Sequence, residues 1–116
     1  MARILVVEDE PLISMMLEDW LAELGHETAG TAESLEQAVS MANNLEFDAA
    51  ILDLNLRSQR SDPVAEILLA RNIPYAVSSG SIQECNEPPF AGKPMLAKPY
   101  DYAAIRDAIA SLLVQG

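Results

Sequence analysis

The stretch that decides the fold is ILVVED at residues 4–9, where a short apolar run ends abruptly in two carboxylates. A second apolar run, at residues 49–52, closes in the same way on Asp53. Uninterrupted apolar runs of this length are typical of strands buried on both faces of a parallel sheet. If the two strands lie side by side, three acids meet at one edge of that sheet.

Such a cluster of acids is costly unless a cation lies between its members. Two unit charges about 5 Å apart repel by roughly 3 kcal/mol at an effective dielectric near 20. A divalent cation removes that repulsion, and carboxylate and carbonyl oxygens suit a hard ion such as Mg2+. Because Mg2+ in proteins often completes its shell with phosphate oxygens, the pattern predicts phosphoryl chemistry at this edge.

Size and composition limit the function classes. A chain of 116 residues gives room for one domain, and its 50% hydrophobic content argues against disorder. No apolar stretch approaches the roughly 18 residues of a membrane span, and a net charge of −11 would repel a nucleic-acid backbone. The start of the chain lacks a signal-peptide pattern, and a single cysteine fits a reducing compartment. The sequence therefore predicts a cytoplasmic protein that binds neither nucleic acid nor membrane.

Strand-like runs alternate with segments of helical period along the whole chain, as in βα units around a parallel sheet. The first helix is expected to end at Gly25, because glycine suits a left-handed helix cap. A polar loop is expected over residues 56–61. The predicted strands cover residues 4–7, 27–30, 48–53, 74–79 and 95–97. The first helix is predicted to begin near Pro11, and the second at Ser34, which forms a capping box with Gln37. Asp62 and Asp101 are predicted to cap the third and the last helix.

The segment from Ser81 to Pro94 breaks this alternation, since it carries Pro88, Pro89 and Gly92. It leaves space for at most one helical turn near residues 82–86, so the fourth helix is predicted to be weak. With right-handed crossovers, the expected architecture is a doubly wound, flavodoxin-like α/β fold. Its five-stranded parallel sheet would have the order 2-1-3-4-5, which places the ends of strands one and three together.

This topology brings a chemically complete set of side chains to one edge of the sheet. A carboxylate can attack phosphorus, while ammonium and metal charge neutralise the transferred oxygens and a hydroxyl binds the new phosphoryl group. The strand ends that meet there carry Glu8, Asp9, Asp53, Ser79 and Lys98.

Four motifs, in this order, resemble the receiver domain of bacterial response regulators. They are VVEDE at residues 6–10, LDLN at 52–55, SSG at 78–80 and KP at 98–99. The resemblance covers the whole chain and implies one receiver domain over residues 1–116. It implies a phosphoacceptor in a two-component or phosphorelay pathway, which takes a phosphoryl group from a sensor histidine kinase or a histidine phosphotransfer protein. Such a protein is not an enzyme beyond its own phosphorylation and dephosphorylation, and it signals to a downstream protein by contact or by phosphate relay.

The resemblance also implies a set of Mg2+ ligands. Asp9 would bind the ion directly beside Asp53, and Glu8 would hold it through a water molecule. Asn55 would supply its backbone carbonyl. Glu8 stands where most receivers carry an aspartate, and its longer side chain should still reach a metal-bound water.

The remaining roles concern the phosphoryl group. Asp53 would be the phosphoacceptor, and Lys98 would pair with the phosphoryl oxygens. Ser79 would move toward them as the switch hydroxyl. Pro99 would follow a cis peptide bond that aims Lys98 into the site.

Two departures point to a subgroup of receivers. Met95 stands where most receivers have an aromatic switch residue, and the fourth connection lacks a regular helix pattern. Together with the run at residues 73–81, these departures look like the single-domain receivers with a Pro-Phe-x-Phe-Ala-Thr-Gly type motif, which are associated with HWE-type histidine kinases.

Alternatives remain open from the sequence. The chain would fit a degenerate receiver that acts as an interaction module without phosphate. A haloacid-dehalogenase-like phosphatase also uses a strand-end aspartate with Mg2+, but its second acid is replaced here by Asn55. Arg57 and Arg60 would form a solvated loop or help to dock a partner.

Overall fold

The computed structural model describes residues 2–80 and 88–115 of the chain. Its strands and helices are β1 (Arg3–Val7), α1 (Pro11–Glu23), β2 (Glu27–Ala32), α2 (Leu35–Asn44), β3 (Ala49–Asp53), β4 (Asn55–Leu56), β5 (Gln59–Arg60), α3 (Asp62–Ala70), β6 (Tyr75–Ser79), β7 (Met95–Ala97) and α4 (Tyr102–Gln115). Strands and helices alternate from β1 to β3, as the sequence predicts, and three consecutive strands then precede α3, while β6 and β7 follow each other without a described helix between them.

Five of these strands form one parallel sheet in the order β2-β1-β3-β6-β7. Counted among the sheet strands alone, this is the order 2-1-3-4-5, so the predicted flavodoxin-like topology is confirmed. The carboxyl ends of β1 and β3 lie side by side, because Val7 pairs with Leu52 in the register of the two strands. Parallel strands separated by a right-handed crossover place such neighbouring ends at the switch point of the sheet.

The two faces of the sheet bury separate apolar clusters, because successive side chains of a strand point to opposite faces. Leu5 and Val7 belong to the cluster under α2 and α3, whereas Ile4 and Val6 belong to the cluster under α1 and α4. Both faces of β1 are therefore covered, which explains why its sequence is an uninterrupted apolar run.

Most helix ends follow the predicted capping residues. Gly25 has a φ of 86° after α1, the conformation that favours glycine. The Ser34 hydroxyl accepts a hydrogen bond from the Gln37 amide at 3.2 Å, and Asp101 Oδ1 accepts one from the Ala104 amide at 2.9 Å. These contacts stabilise the first turns of α2 and α4.

The prediction that Asp62 caps α3 is wrong. Asp62 is already the first residue of the helix, and its carboxylate accepts a hydrogen bond from Arg60 Nε at 2.9 Å. Ser61 holds the cap position, but its hydroxyl donates to the Leu54 carbonyl at 3.0 Å instead of capping the helix. The entry to α3 is thus set by a contact to Leu54, the residue that follows β3.

The predicted polar loop at residues 56–61 is instead a short antiparallel hairpin, formed by β4 and β5. Asn55 pairs with Arg60 across it, and the two turn residues, Arg57 and Ser58, have φ values of 47° and 70°. Two successive positive φ angles match the twist of a tight hairpin. Leu56 is fully buried and anchors the hairpin to the core, whereas Asn55 and residues 57–60 are exposed, so Arg57 and Arg60 are solvated as predicted.

The irregular fourth connection is described only from residue 88 onward, so the helical turn predicted near residues 82–86 lies outside the described residues. Residues 88–94 form turns and no helix. Phe90 is fully buried there, and the Tyr75 hydroxyl donates a hydrogen bond to the Pro89 carbonyl at 2.6 Å. Lys93 Nζ lies 4.9 Å from the centroid of the Tyr75 ring. Two aromatic side chains thus hold this segment to the sheet.

Replacing Tyr75 by phenylalanine should lower the free energy of unfolding by about 1 kcal/mol, because the Pro89 carbonyl loses a hydrogen bond while the buried ring remains. Equilibrium urea unfolding measures the change. Tyr102→Phe is the matched control, since the Tyr102 ring keeps its edge contact with Trp20 and should change stability by less than about 0.5 kcal/mol. Equal stability of Tyr75→Phe and the wild type would contradict the assigned contact.

Candidate functional site

The predicted site residues lie at the carboxyl edge of the parallel sheet. Asp53 ends β3 opposite Ser78, and Ser79 ends β6 opposite Ala97 of β7. Glu8 follows β1 and Lys98 follows β7. The structure therefore brings the ends of four strands to the same place.

Lys98 connects two of the acids. Its Nζ atom lies 3.0 Å from Glu8 Oε1 and 3.0 Å from Asp53 Oδ2. Its amide donates to the Ser79 carbonyl at 3.0 Å, and the bond between Lys98 and Pro99 is cis. The lysine ammonium thus neutralises part of the negative charge of the cluster, between Glu8 and Asp53.

The two acids that Lys98 bridges are deeply buried, and burial is the largest influence on their pKa values. Glu8 is 1% exposed, and burial together with the negative charge of Asp53 raises the pKa of Glu8 to about 7, despite the contact with Lys98. Burial likewise raises the pKa of Asp53. Although burial opposes it, hydrogen bonds and charge from both acids raise the pKa of Lys98. Lys98 is therefore charged at neutral pH, and Glu8 is close to its midpoint.

Asp9 lies at the outer side of this cluster and has a different environment. Its Oδ2 atom accepts a hydrogen bond from the backbone amide of Arg57 at 2.9 Å. Although partial burial opposes it, this hydrogen bond and one from Glu8 hold the pKa of Asp9 below its ordinary value. Asp9 is thus an ionised carboxylate beside the buried pair.

The donor set fits a hard divalent cation. Carboxylate oxygens of Glu8, Asp9 and Glu10 all lie within 4.8 Å of one another. The amide of Asn55 lies 3.4 Å from Asp53 Oδ1, so the first residue of β4 is next to the same carboxylate. The carboxylate ligand atoms are all oxygens, which suits Mg2+ better than a soft metal. Glu10, which the sequence did not single out as a ligand, is exposed and donates its amide to Glu8 Oε2 at 3.1 Å.

Two groups at the site were missed by sequence reasoning. The first is the backbone amide of Arg57. The sequence cannot indicate such a donor, because every residue except proline has a backbone N–H group. The second is Tyr100, whose hydroxyl is buried, and both burial and the charge of Glu8 raise its pKa. Its position two residues after the site lysine was the available signal. Serine hydroxyls at the end of β6 are buried as well, at Ser78 and Ser79.

The fold and this edge of the sheet define a receiver domain. The chain belongs to the response regulator receiver domain family, whose model matches residues 4–72. This is a family of signalling proteins and not of enzymes, which confirms that expectation. Its members generally bind Mg2+ at an acidic pocket and interact with kinases or phosphotransfer proteins and with downstream proteins.

Individual relatives agree with the family assignment. A solution structure of SdrG from Sphingomonas melonis superposes with a TM-score of 0.84 at 42% identity, covering 97% of each chain. The BeF3-activated conformation of SdrG from Pseudomonas melonis gives a TM-score of 0.79 at 43% identity, covering 96% of this chain and 95% of that one. PhyR, the phyllosphere-induced regulator of Methylorubrum extorquens, is 32% identical over 96% of this chain and 43% of its own length. The chain therefore spans less than half the length of this curated relative.

Proposed function

We propose that this chain is a phosphoacceptor response regulator, which takes a phosphoryl group from a sensor histidine kinase or a histidine phosphotransfer protein onto Asp53 with the help of Mg2+. The observation that carries the proposal is the position of Lys98 Nζ, 3.0 Å from both Asp53 Oδ2 and Glu8 Oε1. A structural ion pair needs one acid, whereas a cation between two buried acids fits a site that also receives phosphoryl oxygens.

The proposed reaction uses the carboxylate of Asp53 as the nucleophile. One carboxylate oxygen forms a bond to phosphorus while the bond between phosphorus and the donor atom breaks, which leaves an acyl phosphate on Asp53. Lys98 then pairs with the phosphoryl oxygens, and the Ser79 hydroxyl donates to one of them. Attack of water on phosphorus later releases inorganic phosphate and restores the carboxylate.

Mg2+ would be held directly by Asp9 and Asp53, through water by Glu8, and by the Asn55 carbonyl. The ion would neutralise the charge on the phosphoryl oxygens during transfer. This assignment is supported by the carboxylate oxygens of Glu8 and Asp9, which lie within 4.8 Å of each other, and by the lowered pKa of Asp9, which favours the ionised form of that ligand.

We further infer that residues 1–116 act as one cytoplasmic receiver domain of the subgroup with the Pro-Phe-x-Phe-Ala-Thr-Gly type motif. The similarity to SdrG over nearly the whole chain and the stretch at residues 73–81 support this inference. An HWE-type kinase as the phosphoryl donor, and output by protein contact or phosphate relay, are parts of the same proposal. None of the helices in the described ranges has the length and apolar character required to span a bilayer.

The two alternatives have less support. A receiver that acts without phosphate would have no need for Lys98 between two buried acids, and the family match disfavours a phosphatase.

Incubation with acetyl phosphate and Mg2+, followed by intact-protein mass spectrometry, tests the proposal. The wild type should gain one phosphoryl group, and Asp53→Asn should gain none, because an amide is not a nucleophile for phosphorus. Asp107→Asn is a suitable control, since Asp107 is an exposed residue of α4 and should be phosphorylated like the wild type. No adduct on the wild type, or an adduct that persists in Asp53→Asn, would contradict the proposal.

A further inference from the structure

The hairpin at residues 55–60 touches two separate parts of the molecule. At its turn it contacts the carboxylate cluster, and on β5 it contacts the irregular segment at residues 88–94. Since β4 and β5 are each two residues long, the two contacts are joined by very little intervening structure.

At the turn, the hairpin supplies a backbone donor to the site. The Arg57 amide donates to Asp9 Oδ2 at 2.9 Å, and the Arg57 guanidinium lies 3.7 Å from Glu33. Arg57 and Ser58 hold positive φ angles without being glycine or asparagine. Backbone of this kind persists only where surrounding contacts fix it, so the turn conformation is imposed by its neighbours.

On β5, the hairpin carries Arg60 directly opposite Asn55. The Arg60 guanidinium carbon lies 5.4 Å from the centroid of the Phe90 ring, within the range of a cation–π contact. Phe90 is fully buried in the same apolar cluster as Leu54 and Leu56. Phe90 is thereby fixed from one side by the core and covered from the other by the hairpin.

We infer that this hairpin couples the metal site to residues 88–94, with Arg60 acting as a positioning residue that ties the Phe90 ring to the strand carrying Asn55. The inference rests on the proposed function, because it takes Asn55 and Asp9 as metal ligands. When the Arg60 guanidinium is stacked on Phe90, the position of β5 is fixed relative to the Phe90 ring. The pairing of Arg60 with Asn55 then fixes the position of β4 as well. The backbone amides of Asn55 and Arg57 then stay in contact with the carboxylates of Asp53 and Asp9.

Through this coupling, a conformational change in residues 88–94 can affect the metal site without an aromatic residue at position 95. Coupling free energies are reciprocal, so if Mg2+ binding favours the stacked conformation of Phe90, an equal factor must relate stabilisation of that conformation to Mg2+ affinity. Neither Arg60 nor Phe90 belongs to the carboxylate cluster, which makes an effect on metal binding a specific test.

The experiment compares Mg2+ affinity of the wild type and Arg60→Gln by amide NMR titration at 0.15 M salt. Loss of the cation–π contact should weaken Mg2+ binding by a factor of up to about five, the limit reached if the contact forms fully only in the Mg2+-bound protein. A purely electrostatic role predicts the opposite sign, because removing a positive charge near the site favours a divalent cation. Affinity equal to or tighter than that of the wild type would therefore overturn the inference.

Arg71→Gln is the matched control. Arg71 also stacks on a phenylalanine, with its guanidinium carbon 5.4 Å from the centroid of the Phe47 ring, but it follows α3, away from the carboxylate edge. Its Mg2+ affinity should equal that of the wild type. Arg60→Lys keeps the charge without the planar guanidinium, so it should fall between the wild type and Arg60→Gln.

Hydrogen exchange gives the reciprocal readout. The Lys93 amide donates to the Phe90 carbonyl at 3.3 Å, and its exchange should slow when Mg2+ is added to the wild type but not when it is added to Arg60→Gln. The same slowing in both proteins would refute the coupling. These titrations use Mg2+ without a phosphoryl donor, so they remain informative if Asp53 proves not to be phosphorylated.

Discussion

Lys98→Met is expected to lower the free energy of unfolding by about 3–5 kcal/mol at pH 8 without divalent cations, the usual loss when one partner of a buried ion pair is removed. Glu8 is 1% exposed and the Asp53 side chain 6% exposed, so neither charge has water to replace the lost ammonium. The repulsion between the two carboxylates would then raise the pKa of Glu8 further, so the protein at pH 8 must either keep an unpaired buried charge or take up a proton. We expect the loss to be smaller at pH 5.5, where Glu8 is protonated.

Equilibrium urea unfolding at both pH values measures this effect. Adding Glu8→Gln to the lysine variant should recover a large part of the loss, because one of the two buried charges is then absent. Lys93→Met is the control, since the Lys93 ammonium lies over the Tyr75 ring and outside the carboxylate cluster, and its loss should cost about 1 kcal/mol or less. A Lys98→Met protein as stable as the wild type at pH 8 would show that the ammonium does not hold the acids together.

The sheet topology was predictable because two simple patterns agree with each other. Short apolar runs such as residues 4–7 and 49–52 are typical of strands buried on both faces, and the helical segments between them favour parallel crossovers. Once the order of strands is fixed, the residues at their carboxyl ends must meet. This is why the proximity of Glu8, Asp53 and Lys98 follows from the sequence.

The hairpin was not predictable by the same reasoning. Two-residue hairpin turns normally carry glycine or asparagine at positive φ, and Arg57-Ser58 offers neither. Its conformation is fixed by tertiary contacts, namely the hydrogen bond to Asp9 and the burial of Leu56. The prediction that Asp62 caps α3 was wrong for a related reason, because the Asp62 carboxylate pairs with Arg60 of the same hairpin.

The contacts among the site residues could not be predicted from the sequence either. The sequence suggested that a metal separates the acids, but it did not indicate that Lys98 already lies between Glu8 and Asp53. The sequence also does not indicate that the backbone amide of Arg57 orients the Asp9 carboxylate. Side-chain chemistry at strand ends thus predicts which groups meet, whereas the hydrogen bonds among them depend on side-chain reach and on loop geometry.

The stability of the metal-free protein should fall as the pH rises from about 4.5 to about 7, and Glu8 is the main cause. Its pKa is raised from 4.5 to about 7 in the folded state, so the folded protein binds this proton more tightly than the unfolded chain. The stabilisation is fully present below pH 4.5 and is lost as the pH passes through the folded value, by roughly 3 kcal/mol in total. The raised pKa of Asp53 acts in the same direction.

Because many other carboxyl groups titrate as well, the measurement is a difference between two proteins. Urea unfolding from pH 5 to pH 8 in EDTA should show a steep decline for the wild type and a flatter one for Glu8→Gln, which has no proton to lose at that position. Glu36→Gln, an exposed change on α2, should leave the decline as it is in the wild type. Saturating Mg2+ should reduce the wild-type decline, since a bound cation favours the ionised carboxylates. If the curves of the wild type and Glu8→Gln are parallel, Glu8 does not titrate in this range, and the ionisation assigned to the cluster is wrong.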